Sequence, residues 1–142
     1  MPEVLAERVE LLLTHSIGCT ATFTQYAGLA TINSPQDQVD AMVAEYKRRR
    51  DRFVAFLNTI PGIKCRLPQG AFYAFPNIKG TGWQAKPLAN ALLDETGVAT
   101  IGGPDFGILG EGYMRLSYAN STENILKALD RMGDFLASRK AA

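Results

Sequence analysis

Apolar residues along the first part of the chain recur at helical spacing. Val4, Leu5, Val9, Leu12 and Leu13 predict a helix over about the first dozen residues. Gly18 and the β-branched residues of "SIGCTATFTQ" interrupt that pattern, and a second helix is expected from Thr20 or Thr22 to about Ile32. "NSPQDQ" then carries a helix-start signal: Ser34 to cap, Pro35 for the first helical position, and Asp37 at the positive end of the dipole. Val39, Met42, Val43, Tyr46, Phe53, Leu57 and Ile60 form one stripe, so this helix should run about six turns until Pro61-Gly62 stops it.

After Gly62 the period changes. "GIKCRLPQGAFYAFPNI" is rich in turns and aromatics, with a strand expected at Ala71–Phe75. "WQAKPLANALLDETG" predicts a helix with Leu88, Ala89, Leu92 and Leu93 on its apolar side, ended by Gly97. A strand at Val98–Ile101 leads into the glycine-rich loop "GGPDFGILGEG". The strand in "GEGYMRLSYA" follows, and then a last helix capped at Ser121, with Glu123 in its first turn. Its stripe is Ile125, Leu126, Leu129, Met132, Phe135 and Leu136. Strands interleaved with helices, entered by a long helix, predict an α+β fold in which helices cover a small sheet.

Composition narrows the classes of function. The chain has 142 residues, 46% of them hydrophobic and 20% charged, which fits one folded domain rather than a disordered segment. Its net charge of +1 provides no global field for nucleic acid or an anionic membrane. No apolar run approaches the ~18 residues of a membrane span, and "MPEVLAERVE" lacks the apolar centre of a signal peptide. Cys19 and Cys65 fit neither a disulfide framework nor a metal-ligand spacing, and read as thiols of a reducing cytosol. The expected location is cytoplasmic.

Four features could carry chemistry. "KRRRDR", Lys47–Arg52, is the densest charge run; on the long helix it reads as a solvated face rather than a phosphate patch. His15, the single histidine, excludes a clustered zinc site of the usual kind and reads as a loop or helix-end residue. The glycine loops "KGTGW" and "GGPDFG" have the spacing of neither a dinucleotide fingerprint nor a P-loop, and no "GxSxG" elbow supports a serine nucleophile. Arg115 differs in kind. Alternation places Tyr113, Arg115 and Ser117 on one face of the strand, and Met114, Leu116 and Tyr118 on the other. If the second set faces the core, Arg115 faces either water or a cleft, and the strand alone leaves both open. In a cleft, its planar, permanently charged fork would suit a carboxylate.

Taken in order, "PQGAFYAFP" (Pro68–Pro76), "GGPDFG" and "GEGYMRLSYA" resemble the C-terminal part of class I aminotransferases, pyridoxal-phosphate enzymes of the aspartate aminotransferase fold (fold type I). "CTATFTQYAG" (Cys19–Gly28) resembles the segment that follows the cofactor-binding part of the large domain, so the resemblance covers essentially the whole chain. It implies a large-domain tail at residues 1–33 and a C-terminal small domain at 34–142. It also implies that Arg115, in the place of the family's "YxRLSYA" arginine, binds the substrate α-carboxylate. Where the family often has Pro-Gly, this chain has Gly102-Gly103.

The implied activity is amino-group transfer between an amino acid and a 2-oxo acid by a homodimeric, cytoplasmic enzyme, with neither nucleic acid nor membrane as partner. The family's Schiff-base lysine follows a serine, whereas none of the lysines here (47, 64, 79, 86, 127 and 140) does. No catalytic or cofactor-binding residue is therefore assigned, pyridoxal phosphate belongs to the complete enzyme, and the chain alone is expected to be inactive. Two other classes of function fit the same residues: a non-catalytic amino-acid-binding module and a dimerisation fragment.

Overall fold

The computed structural model describes residues 1–139, so Lys140 lies outside the described residues. The chain divides into two compact units, one ending at Gln38 and the other beginning at Val39. The first consists of α1 (Glu3–Ser16) and α2 (Thr22–Asn33), as the periodicity predicts. His15 lies in the last turn of α1. Neither helix buries a residue, and Leu12, Phe23 and Ile32 are among the side chains left exposed.

The long helix α3 (Asp37–Leu57) begins later than its expected cap. Ser34 instead closes α2, its N–H donating to the Ala30 carbonyl at 2.9 Å. Pro35 disfavours helical geometry in the residue before it, and Ser34 is accordingly extended (φ −80°, ψ 160°). Asp37 does begin the helix, where its charge complements the dipole. The α3 stripe divides in two: Val39, Met42 and Val43 are exposed, whereas Phe53, Leu57 and, just beyond the helix, Ile60 are buried.

Beyond α3, the unit is a three-stranded antiparallel sheet with helices packed on one face. Strands β1 (Tyr73–Ala74) and β2 (Ile101–Gly102) flank the central β3 (Met114–Ser117). Both outer strands are shorter than the sequence predicts. β1 covers only part of Ala71–Phe75, because Ala71 has a left-handed backbone (φ 59°) that β pairing does not accommodate. The Tyr118 hydroxyl holds this turn by donating to the Ala71 carbonyl at 2.9 Å, and burial pushes that hydroxyl's pKa up. Val98 is buried ahead of β2 without joining a ladder.

Helix α4 (Ala85–Thr96) ends at Gly97, in the left-handed conformation expected of a glycine stop (φ 70°). Leu88, Ala89 and Leu92 are buried, but Leu93 is exposed, because 100° per residue turns it past the edge of the stripe. Helix α5 (Thr122–Ser138) is capped by Ser121, whose Oγ accepts from the Asn124 N–H at 3.2 Å. Ile125, Leu129, Met132 and Phe135 of α5 join Leu57, Leu88, Leu92, Met114, Leu116 and Tyr118 in one core. Burying each such side chain contributes about 1.5–3 kcal/mol. The core therefore takes the even-numbered face of β3, and Arg115 lies on the other.

Candidate functional site

Arg115 is half-buried, between buried Met114 and buried Leu116. Its position in the middle strand brings neighbours from both sides. Ser117 pairs with Tyr73 of β1, and Arg115 itself pairs with Ile101 of β2. The Tyr73 ring centre lies 4.5 Å from the guanidinium carbon, and that of Phe106, from the turn after β2, lies 4.6 Å from it. Both are within cation–π range. Phe75 continues the aromatic surface, packing edge-on to Phe106 at 6.0 Å and stacking on Tyr113 at 5.5 Å.

Among the described residues, the Arg115 side chain has no ion-pair or hydrogen-bond partner. Aromatic rings engage a guanidinium without using its in-plane N–H donors, so its fork remains available for an acceptor. The carboxylates of the loop before β3 are committed elsewhere. Asp105 pairs with Lys86 at 2.7 Å, and Glu111 Oε1 accepts from the backbone N–H of Ala85 at 3.1 Å and of Gly112 at 3.0 Å.

The glycine-rich loop positions Phe106. It forms two 3-10 turns, Gly103–Phe106 and Ile108–Gly110, whose ends meet backbone to backbone. A Cβ on Gly103 would collide with the Gly110 carbonyl, and one on Gly110 would collide with Gly103. The Gly103 N–H donates to the Tyr113 carbonyl at 2.8 Å, joining the loop to the strand that carries Arg115. Gly102 has φ −64°, which proline would also adopt, but a Cβ there would lie 3.1 Å from Lys86 Cγ and 3.2 Å from Lys86 N. Close packing against the start of α4 favours the smaller residue.

The other sequence candidates resolve as ordinary structure. Arg48 and Arg49 both pair with Glu45, at 2.6 and 2.8 Å, while Arg50 and Lys47 pair with Asp51, at 2.8 and 3.3 Å. Hydrogen bonds from Arg48 and then Arg49 hold the Glu45 carboxyl below its usual range, and Arg50 does the same for Asp51. Cys19 and Cys65 are free thiols, and burial pushes the Cys65 pKa up. No cluster able to hold a metal ion occurs among the described residues. Among them, too, no helix is long and apolar enough to cross a membrane.

Among the described residues, no lysine fits the Schiff-base position of a pyridoxal-phosphate site. Each described lysine is exposed, with Lys47 and Lys86 in ion pairs, so none occupies the desolvated setting that activates a Schiff-base lysine. As found, the site is a guanidinium fork between two aromatic rings. Sequence reasoning located Arg115 but not its flanking rings. Alternation in "GAFYAF" could have put Tyr73 on the face opposite Ala74, whereas nothing local marks Phe106.

A family model described as aminotransferase class I and II matches residues 3–132. An aspartate aminotransferase from Pyrococcus horikoshii is 39% identical over 141 residues, covering 98% of this chain and 36% of that protein. Aromatic-amino-acid aminotransferase 2 from Thermococcus litoralis is 36% identical over 141 residues, with 98% and 36% covered. The crystal structure of an aromatic aminotransferase from Pyrococcus horikoshii superposes with a TM-score of 0.87 at 36% identity, over 97% of this chain and 37% of that one. The chain thus spans little more than a third of the length of these relatives. Motifs, fold and relatives agree along nearly all of it, and the chain belongs to the class I and II aminotransferase family.

Proposed function

We propose that this chain is the C-terminal part of an amino-acid aminotransferase, and that Arg115 binds the α-carboxylate of the amino-acid and 2-oxo-acid substrates. The observation that carries this reading is a half-buried guanidinium flanked by two rings, with no carboxylate of its own. A carboxylate meeting the fork edge-on makes two parallel charge-assisted hydrogen bonds, which fix its plane as well as its position. The rings of Tyr73 and Phe106 exclude water from beside the guanidinium and strengthen that pairing. Fixing the carboxylate orients the substrate's Cα, a gain from positioning rather than from proton transfer.

On this reading residues 1–33 are the tail of a large domain and 34–142 the small domain of a homo-oligomeric enzyme. The exposed Leu12, Phe23 and Ile32 support burial of the first segment against the rest of that enzyme. Pyridoxal phosphate, held by residues outside this chain, supplies the electron sink for amino-group transfer. The 142 residues alone should bind a carboxylate without transaminating.

The test is Arg115→Leu in the complete enzyme. Loss of one partner of a desolvated charge pair costs about 2–5 kcal/mol, so kcat/KM should fall by a factor of tens to thousands for two chemically unlike amino donors. Arg115→Lys should restore only part, having charge without the fork. Unchanged values with both donors would overturn the assignment.

A further inference from the structure

Tyr73 and Phe72 are both exposed, so the core does not fix where the Tyr73 ring lies. Strand β1 is only two residues long, with Tyr73 paired to Ser117 and Ala74 to Leu116. Yet the Tyr73 ring centre lies 4.4 Å from that of Phe72 and 4.5 Å from the Arg115 guanidinium carbon. What holds an exposed ring at this spacing is the backbone that leads into it.

That backbone is unusual. Among the described residues, Ala71 is the only one besides glycine with a positive φ (59°). A left-handed backbone is unfavourable for a residue with a Cβ, and it persists only where its surroundings hold it. Tyr118 holds it at two points. Its hydroxyl donates to the Ala71 carbonyl at 2.9 Å, and its backbone N–H donates to the Phe72 carbonyl, also at 2.9 Å. Tyr118 is itself fixed, for it is buried and its ring lies 5.8 Å from that of Phe53 on α3. It belongs to the core with Met114 and Leu116, so it reaches Arg115 on the other face only by way of the chain entering β1.

We propose that Tyr118 is a positioning residue: by clamping Ala71 in its left-handed turn, it sets the Tyr73 ring against Arg115 and so keeps the guanidinium fork in place. The clamp presupposes Arg115 as the α-carboxylate receptor, and adds to it a residue that touches neither the carboxylate nor the guanidinium. The hydroxyl carries this role, since the ring of Tyr118 alone would fill the same volume in the core. Without that hydrogen bond Ala71 relaxes toward an extended backbone, which redirects the chain entering β1 and moves Tyr73 away from Arg115. Capture of the substrate suffers, and the reacting bonds are untouched.

The experiment is Tyr118→Phe in the complete enzyme, which removes the hydroxyl and keeps the ring. KM should rise about three- to tenfold for two chemically unlike amino donors, as for loss of one cation–π contact, with kcat within about twofold. In a Tyr73→Leu background the same substitution should add nothing, because the hydroxyl acts through that ring. Glycine adopts a positive φ freely, so Ala71→Gly combined with Tyr118→Phe should return KM to within about twofold of wild type. Ala71→Val, whose branched side chain disfavours the turn, should raise KM with Tyr118 intact. A hydroxyl that serves stability alone would lower the thermal midpoint and leave KM unchanged. Unchanged KM in Tyr118→Phe, increases that add to those of Tyr73→Leu, or no rescue by Ala71→Gly would overturn the clamp. Arg115→Leu keeps the two ideas apart: a large loss there with no effect of Tyr118→Phe leaves the receptor standing and removes the clamp alone. No loss there, with the Tyr118→Phe effect still absorbed by Tyr73→Leu, removes the receptor and leaves the clamp on Tyr73.

Discussion

Two arginine-bearing regions of this molecule invite opposite readings from their charge alone. The run Lys47–Arg52 on α3 is dense and conspicuous, yet from Lys47 to Arg50 each cation is matched by Glu45 or Asp51 on the same helix. Arg49 and Arg50 reach further, to the Asn120 and Pro68 carbonyls at 2.7 and 3.1 Å, and so tie the helix to neighbouring turns. Arg115 is a single charge in a strand, and its side chain is matched by rings alone. Density of charge therefore says little about a site. A partly desolvated charge that keeps its donors free is the better candidate for a site.

The strongest way to break this contrast within the chain is to disturb how the rings reach Arg115. Gly103→Ala places a methyl group against the Gly110 backbone, and overpacking of this kind costs about 1–3 kcal/mol. The thermal midpoint should fall, and kcat/KM of the complete enzyme should fall with it as Phe106 is displaced. A melt indistinguishable from wild type would show that the two turns yield easily.

A smaller effect is expected from the rings themselves. Phe106→Leu and Tyr73→Leu each remove one cation–π contact, worth about 0.5–2 kcal/mol. The change should appear in KM for all substrates more than in kcat, since the rings stabilise the receptor and touch no reacting bond. An effect confined to kcat would point to a different role.

The smallest effect is predicted on α3. Arg48→Gln and Arg49→Gln should leave kcat/KM within about twofold: the Arg48 pair is exposed and contributes little, and the Asn120 contact that Arg49 gives up bears on stability rather than on Arg115. Because Glu45 and Asp51 are held below their usual pKa, their pairing favours the folded state above the ordinary carboxylate range. That contribution is lost as pH falls through the lowered values. A circular-dichroism titration should show α3 weakening below about pH 4.5, the ordinary value for Glu45, and less so in Glu45→Gln. A kcat/KM collapse in either arginine variant would show that the run is functional after all.

How much was legible beforehand follows the same division between local and distant causes. The Ser121 cap and the Gly97 stop depend on residues a few positions apart, and pattern alone located them; it also put Met114, Leu116 and Tyr118 on one face, which the structure buries. Ser34 was misread because two helices compete for it, and its N–H is used by the first. Leu93 was misread because it lies at the edge of the stripe, where one residue's rotation decides exposure. Arg115 was visible through strand alternation and family resemblance. Phe106 was not, since it meets Arg115 only through the β2–β3 pairing and the contact between Gly103 and Gly110. The commitment of Glu111 to the start of α4 is likewise a long-range fact, joining residues 26 positions apart.

The claim that Arg115 is a carboxylate receptor is tested most directly by varying both partners at once. Inhibition constants would be measured for an α-methyl amino acid and its carboxamide, in the complete wild-type enzyme and in Arg115→Leu. The amide keeps the shape but loses the charge and one acceptor oxygen. The account predicts that wild type prefers the acid by a factor of tens to thousands, corresponding to about 2–5 kcal/mol for a desolvated charge pair. In Arg115→Leu that preference should shrink to within about threefold, the coupling of a contacting pair having been removed. A preference for the acid that survives the substitution undiminished would contradict the account and place the carboxylate on another residue.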